Sequence, residues 1–160
     1  MSPLPPTAPP LRADDALAMR WAIDLAARGA RVGEVPVGAI VVERGRILAE
    51  AHNETVARSD PTAHAELLAL QRALAAEGVD RLPRATLYVT LEPCAQCAGA
   101  IVLTKVGRVV FGCFDDKAGM AGSVGDLLRH PRLNHRPEVQ GGVLAEPAAT
   151  LLRDFFASRR

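Results

Sequence analysis

From about residue 14 onward, apolar positions recur at alternating helical and strand periods. Asp14 is placed as an N-cap, and Leu17, Trp21 and Leu25 recur every fourth residue as one helical face. Gly29 is placed to end that helix. Val37 to Val42 is an apolar, β-branched run, Arg44-Gly45 reads as a turn, and Arg46 to Ala49 returns as a hairpin partner. Pro61-Thr62 opens a second helix in which Leu67, Leu70 and Leu74 share a face and Gly78 marks the stop. Thr86 to Leu91 predicts a strand ending at Glu92-Pro93, and the cysteine-rich segment starts a third helix running to about Thr104. Val109-Val110-Phe111 predicts a short buried strand. Gly112 to Pro137 is loop-rich, with a short helix expected around Val124 to Arg129. Val139 to Leu144 predicts a last strand and Pro147 to about Ser158 a final helix. Strands alternating with helices point to an α/β layered domain over residues 14–160, with no internal repeat.

Composition narrows this picture. A chain of 160 residues, 49 % hydrophobic and 23 % charged, fits one soluble domain around a single core. Residues 1–13 open with five prolines and few large apolar groups, which predicts a disordered tail. No apolar run approaches the roughly 20 residues that span a membrane, and no signal sequence is visible, so a cytoplasmic location is expected. The net charge of +1 is far from the basic balance of many nucleic-acid-binding domains. A polyanion must therefore meet a local patch. Three cysteines are too few for a disulfide framework, and two of them form a C-x-x-C pair that suggests metal or redox chemistry.

The chemistry concentrates in Thr62-Ala63-His64-Ala65-Glu66 and Pro93-Cys94-Ala95-Gln96-Cys97. Two cysteines one helical turn apart converge on one ion, and His64 adds a third ligand. Three protein ligands leave one tetrahedral position for water, as in catalytic zinc sites. Both segments begin predicted helices, whose N-terminal dipoles favour thiolate. Glu66, two residues beyond His64, points to another side of the ion and suits a base that reaches the water. Competing readings are a closed zinc knot with Cys113, His52 or His135 as fourth ligand, and a redox C-x-x-C that leaves His64 and Glu66 unexplained. Cys113 reads as a small buried hydrophobe, and Glu92 as a structural residue supporting the cysteine turn.

The H-x-E…P-C-x-x-C pattern is that of zinc deaminases acting on nucleobases. Beyond it, residues 34–39, 60–66 and 86–94, together with 107–112 and 134–136, resemble bacterial tRNA-specific adenosine deaminases, and the resemblance runs from about Leu17 to Arg159. It implies the cytidine-deaminase-like fold, a three-layer α/β/α arrangement with a five-stranded mixed sheet. It implies a homodimer with one Zn2+ per subunit that converts wobble adenosine to inosine in a tRNA anticodon loop, with Glu66 as proton shuttle. It also implies that Asn53 hydrogen-bonds the flipped base, that the main chain at Ala65 meets the base edge, and that Val37 and Leu91 pack near its faces. On pattern alone, Asn53 reads equally as a turn residue, and Val37 and Leu91 as core.

The loop Phe114-Asp115-Asp116-Lys117 matches a segment that contacts flanking nucleotides, with Asp115 accepting a ribose 2′-OH and Lys117 taking a phosphate. Arg129 to Arg136 is the densest basic stretch, and Asn134 and Arg136 are taken as RNA contacts. Two departures stand out: Phe114 replaces a polar or basic residue of many relatives, and the basic tail ends at Arg153, Arg159 and Arg160. The alternatives are a free-base or nucleoside deaminase of cytosine or guanine type and, from another class, a non-catalytic zinc-stabilised RNA-binding subunit.

Overall fold

The computed structural model describes residues 14–159, so the stretch expected to be a disordered tail lies outside the described residues. The elements run α1 (Asp15–Arg31), β1 (Gly38–Glu43), β2 (Arg46–His52), α2 (Ala65–Glu77), β3 (Thr86–Leu91), α3 (Ala95–Thr104), β4 (Arg108–Cys113), β5 (Glu138–Gln140) and α4 (Ala145–Ala157). The strands form one five-stranded sheet in the order β2-β1-β3-β4-β5. β1 is antiparallel to both neighbours, whereas β3, β4 and β5 are parallel, so the sheet is mixed as expected. Helices α2 and α3 pack against each other, as do α1 and α4. Two apolar clusters follow, the larger under α2 and α3 and the smaller under α1. Every residue of β4 is buried, as a central parallel strand covered on both faces requires. No helix among the described residues is long and apolar enough to cross a membrane.

Five local expectations need correction. Of Leu17, Trp21 and Leu25, Leu25 alone joins the core face of α1: it is buried with Met19, Ala22 and Ala26, whereas Leu17 is 71 % and Trp21 48 % exposed. The cause is close approach. A Cβ on Gly38 would lie 2.0 Å from the Ala22 carbonyl oxygen, so α1 rests almost on the β1 backbone and admits only alanine there. Trp21 instead lies outside and donates its Nε1–H to Glu50 at 2.7 Å. Gly29 does not end α1; it is buried inside the helix, which continues to Arg31.

Helix α2 begins at Ala65 instead of Pro61-Thr62, because Asp60 Oδ1 accepts from both the N–H and the hydroxyl of Thr62 and bends those residues into a turn. Its stop at Gly78, with φ +64, is as expected. No helix forms at Val124 to Arg129. Asp126 there caps the Arg129 N–H and pairs with Ala121 in an isolated bridge. The last strand is Glu138–Gln140, shorter than Val139 to Leu144, since Gly142 at φ +85 turns the chain away.

A buried ion pair ties the start of α1 to the sheet. Arg108 on β4 donates to both carboxylate oxygens of Asp15, at 2.8 and 2.7 Å, and the Tyr88 hydroxyl donates to Asp15 Oδ1 at 2.7 Å. Asp15 is fully buried and Arg108 is 4 % exposed. Asp15→Ala leaves that buried guanidinium only the half-exposed Glu138 carboxylate, 3.5 Å from its Nε, a loss of about 3–5 kcal/mol of folding stability readable by urea denaturation. A cost below about 1 kcal/mol would show that water compensates Arg108 in the variant.

Candidate active site

The exits of β3 and the starts of α2 and α3 converge at one end of the sheet. His64 is the N-cap residue of α2 and Cys94 that of α3, so two side chains of metal-ligating type sit where helix dipoles point. Cys97, on the first turn of α3, is fully buried beside them. The Gln96 amide donates to the Thr62 carbonyl at 3.0 Å and fastens the two helix starts together.

Cys94 Sγ lies 3.5 Å and Cys97 Sγ 3.6 Å from His64 Nδ1, and the three ligand atoms fall within 4.8 Å of one another. A tetrahedral ion with bonds of about 2.3 Å to sulfur and about 2.0 Å to nitrogen holds such donors about 3.5 Å apart. The donor set therefore fits a metal ion.

Hydrogen bonds link the three donors. Hydrogen bonds from Cys97 and His64 pull the Cys94 thiol down to about 3, a thiolate at neutral pH. Cys97 moves upward, because its thiol donates to Cys94 and is buried. The His64 pKa is raised chiefly by its bond to Cys94, against desolvation. Glu66, 4 % exposed in the first turn of α2, is pushed up to about 7 by burial, with its own backbone N–H partly offsetting the shift.

The cluster opens into a cavity of about 290 Å³ that also exposes Glu66. That volume sits at the lower end of small-molecule pockets, about 300–1,000 Å³, and suits a single base. Val35, Val37 and Leu91 supply apolar wall, Asn53 and Thr55 a polar edge, and Asp115 and Ala118 the rim. Asn53 Oδ1 accepts the Ala65 N–H at 2.8 Å, so Asn53 offers the cavity its amide N–H donors. The same bond engages the Ala65 main-chain N–H. Asn53 is held in turn by its N–H to the Val37 carbonyl at 3.1 Å.

Two of the expected RNA contacts have partners within the chain. Asn134 Oδ1 accepts from Lys105 at the C-terminal end of α3, and Arg136 donates to the Pro131 carbonyl. Arg129 is likewise occupied by Asp126 at 2.6 Å. Lys117 instead lines a groove of about 440 Å³ that shares Val35, Leu91 and Asp115 with the cavity and continues over Phe114 and Phe156. A further groove adds Arg153 and Arg159. The sequence reading missed Val35, Thr55 and Ala118 as lining residues, all outside regular elements, where periodicity carries no signal.

The proposed fourth ligands are engaged otherwise. The Cys113 thiol donates to the Thr90 carbonyl, His52 Nδ1 meets the Asn53 carbonyl and His135 Nε2 the Val106 carbonyl. Among the described residues the metal-ligating group is His64, Cys94 and Cys97.

Known proteins agree with this geometry. The family model for MafB19-like deaminases matches residues 13–160. The tRNA-specific adenosine deaminase of Bacillus subtilis is 48 % identical over 91 % of this chain and 91 % of its own. A solved structure from a study of A-to-I editing by tRNA:A34 deaminases at the wobble position superposes with a TM-score of 0.82. It is 38 % identical and the match covers 85 % of this chain and 99 % of the other. A guanine deaminase from Nitrosomonas europaea follows at a TM-score of 0.80 and 25 % identity, covering 96 % and 94 %. The chain thus belongs to the MafB19-like deaminase family and, within it, to the tRNA-specific adenosine deaminases.

Proposed function

We propose that the protein hydrolytically deaminates adenosine to inosine at the wobble position of a tRNA anticodon loop, with one zinc ion on His64, Cys94 and Cys97. The observation that carries this reading is a non-ligating carboxyl, Glu66, buried in the same cavity as a three-donor metal cluster. A zinc ion held by these three residues would supply Lewis acidity that lowers the pKa of water to about 7.

The chain's own residues do the rest. Glu66, with its pKa near 7, takes one proton from water as the oxygen bonds to the ring carbon and delivers it to the ring nitrogen. It then carries the remaining hydroxyl proton to the amine, which leaves as ammonia when the C–N bond breaks. Val37 and Leu91 flank the base, and the Asn53 amide donates to its edge. Asp115 and Lys117 stand at the cavity mouth, where the flanking nucleotides leave. Phe114 and Phe156, respectively 58 % and 52 % exposed, offer stacking faces beside Lys117 along that exit. The same reading takes the chain as a cytoplasmic homodimer.

The likeness to a guanine deaminase gives a second reading, deamination of a free base, because the metal chemistry is common to both. Purified protein incubated with an anticodon stem-loop is expected to convert the wobble adenosine, read by reverse transcription, and to leave free guanine and cytidine unchanged. Light scattering on the same preparation is expected to give twice the chain mass. Turnover of guanine without turnover of the stem-loop would replace the RNA reading.

A further inference from the structure

Glu92 follows β3 directly and has no part in the proton transfers above. Its carboxylate is 1 % exposed. Oε1 accepts from the Asp115 N–H at 3.0 Å and from the Ser123 hydroxyl. Oε2 accepts from the N–H groups of Ala121 and Ser123, each at 3.0 Å. All four donors belong to one loop, residues 115–123, which leaves β4 and folds back over the turn that carries Cys94.

Backbone bonds stitch the same seam. Glu92 N–H donates to the Cys113 carbonyl at 2.9 Å, and Met120 N–H donates to the Pro93 carbonyl at 2.8 Å. A Cβ on residue 119 would lie 2.3 Å from Glu92 Cδ, so only glycine lets the loop wrap the carboxylate this closely. The loop holds no helix or strand of its own beyond the bridge from Ala121 to Asp126. Yet it supplies Asp115 and Ala118 to the cavity and Lys117 to the adjoining groove. Asp115 passes the order on, since its Oδ1 accepts from the N–H groups of Lys117 and Ala118 at 3.0 and 3.2 Å.

Resting on the deaminase reading, we propose that Glu92 is a positioning residue whose carboxylate locks the 115–123 loop against the metal-bearing turn and so sets the wall on which the RNA is seated. The requirement is for an anion with two acceptor oxygens. Four donors converge on it, and a glutamine of the same shape keeps one acceptor while turning an N–H₂ toward two of them. A displaced loop moves the rim of the cavity and leaves the three metal ligands, held at the starts of α2 and α3, where they are.

The test uses the full-length chain with its metal. In Glu92→Gln, metal content is expected to equal that of the wild type and kcat to stay within about threefold, while KM for the stem-loop rises on the order of tenfold. Hydrogen exchange at the amides of Asp115, Ala121 and Ser123 is expected to accelerate on the order of tenfold or more, with α3 and β4 unchanged. Gly119→Ala drives a methyl into the carboxylate and is expected to reproduce both effects. Ser123→Ala, which keeps three of the four bonds, gives a milder version and serves if Glu92→Gln does not fold. Unchanged KM and unchanged protection would overturn the proposal. So would metal loss in proportion to activity, which restricts Glu92 to holding the cysteine turn. A wild-type protein inactive on the stem-loop overturns the RNA reading instead, and the exchange experiment still decides whether Glu92 orders the loop.

Discussion

Glu66→Gln is expected to lower deamination of the stem-loop by about 10³–10⁴-fold, the upper range for loss of a general acid–base group. The carboxyl has to accept a proton and release it within one turnover, which needs a pKa near the working pH. Burial in the first turn of α2 supplies that by lifting Glu66 to about 7. Glutamine keeps the volume and the polarity and has no proton to exchange. Metal content is expected to hold, because His64, Cys94 and Cys97 form the donor set without this residue.

Stability gives the control. A carboxyl whose pKa is raised on folding binds its proton more tightly in the native state. Its contribution favours the fold at low pH and is withdrawn as pH rises from 4.5 through about 7. The metal-free variant, which has no charge to bury, is therefore expected to melt no lower than metal-free wild type at pH 8. Activity loss with an unchanged or raised melting point isolates the chemistry from the fold. Retained deamination in this variant would end the role of Glu66.

How much of this was legible in the sequence depends on the range of the interaction. His64, Cys94, Cys97 and Glu66 could be read because each pair sits within one turn of a helix start, where spacing alone sets direction. β3 was read to the residue, since Thr86 to Leu91 is bounded by a proline-containing break. The α1 face was misread because its packing partner is the bare backbone at Gly38, distant in sequence, which favours alanine over the larger Leu17 and Trp21. The basic stretch Arg129 to Arg136 looked like an RNA surface by composition. In the fold, Arg129 pairs with Asp126, Arg136 binds the Pro131 carbonyl and Arg153 pairs with Glu146, while Lys117 lines the groove by the cavity. Charge density along the chain does not say which cations are already used locally. Glu92 was read as support for the cysteine turn; its grip on residues 115–123 depends on contacts 23 to 31 positions away.

Cys97→Ala is expected to bring deamination down to the uncatalysed background and to abolish retention of the metal, as read by elemental analysis after gel filtration. Cys97 is the fully buried donor of the three, and its sulfur stands 3.6 Å from His64 Nδ1. Its removal leaves one thiolate and one imidazole, too few to hold the ion against dilution. Stability reports the same loss by a second route. Metal binds the native chain and not the unfolded one, so zinc at 100 times its dissociation constant adds about 2.7 kcal/mol. For a chain of this length that raises the melting point by about 5–10 °C. The wild type is expected to show that rise on adding zinc to chelated protein, together with recovery of activity, and Cys97→Ala to show neither. The thiol sets the pH dependence, because in the absence of metal its proton is shared with the Cys94 thiolate and must leave before both sulfurs can bind. Zinc uptake in weakly buffered solution is therefore expected to release at least one proton per chain, and affinity to fall as pH falls. Full zinc retention by Cys97→Ala would place the third ligand elsewhere and dissolve the three-donor site.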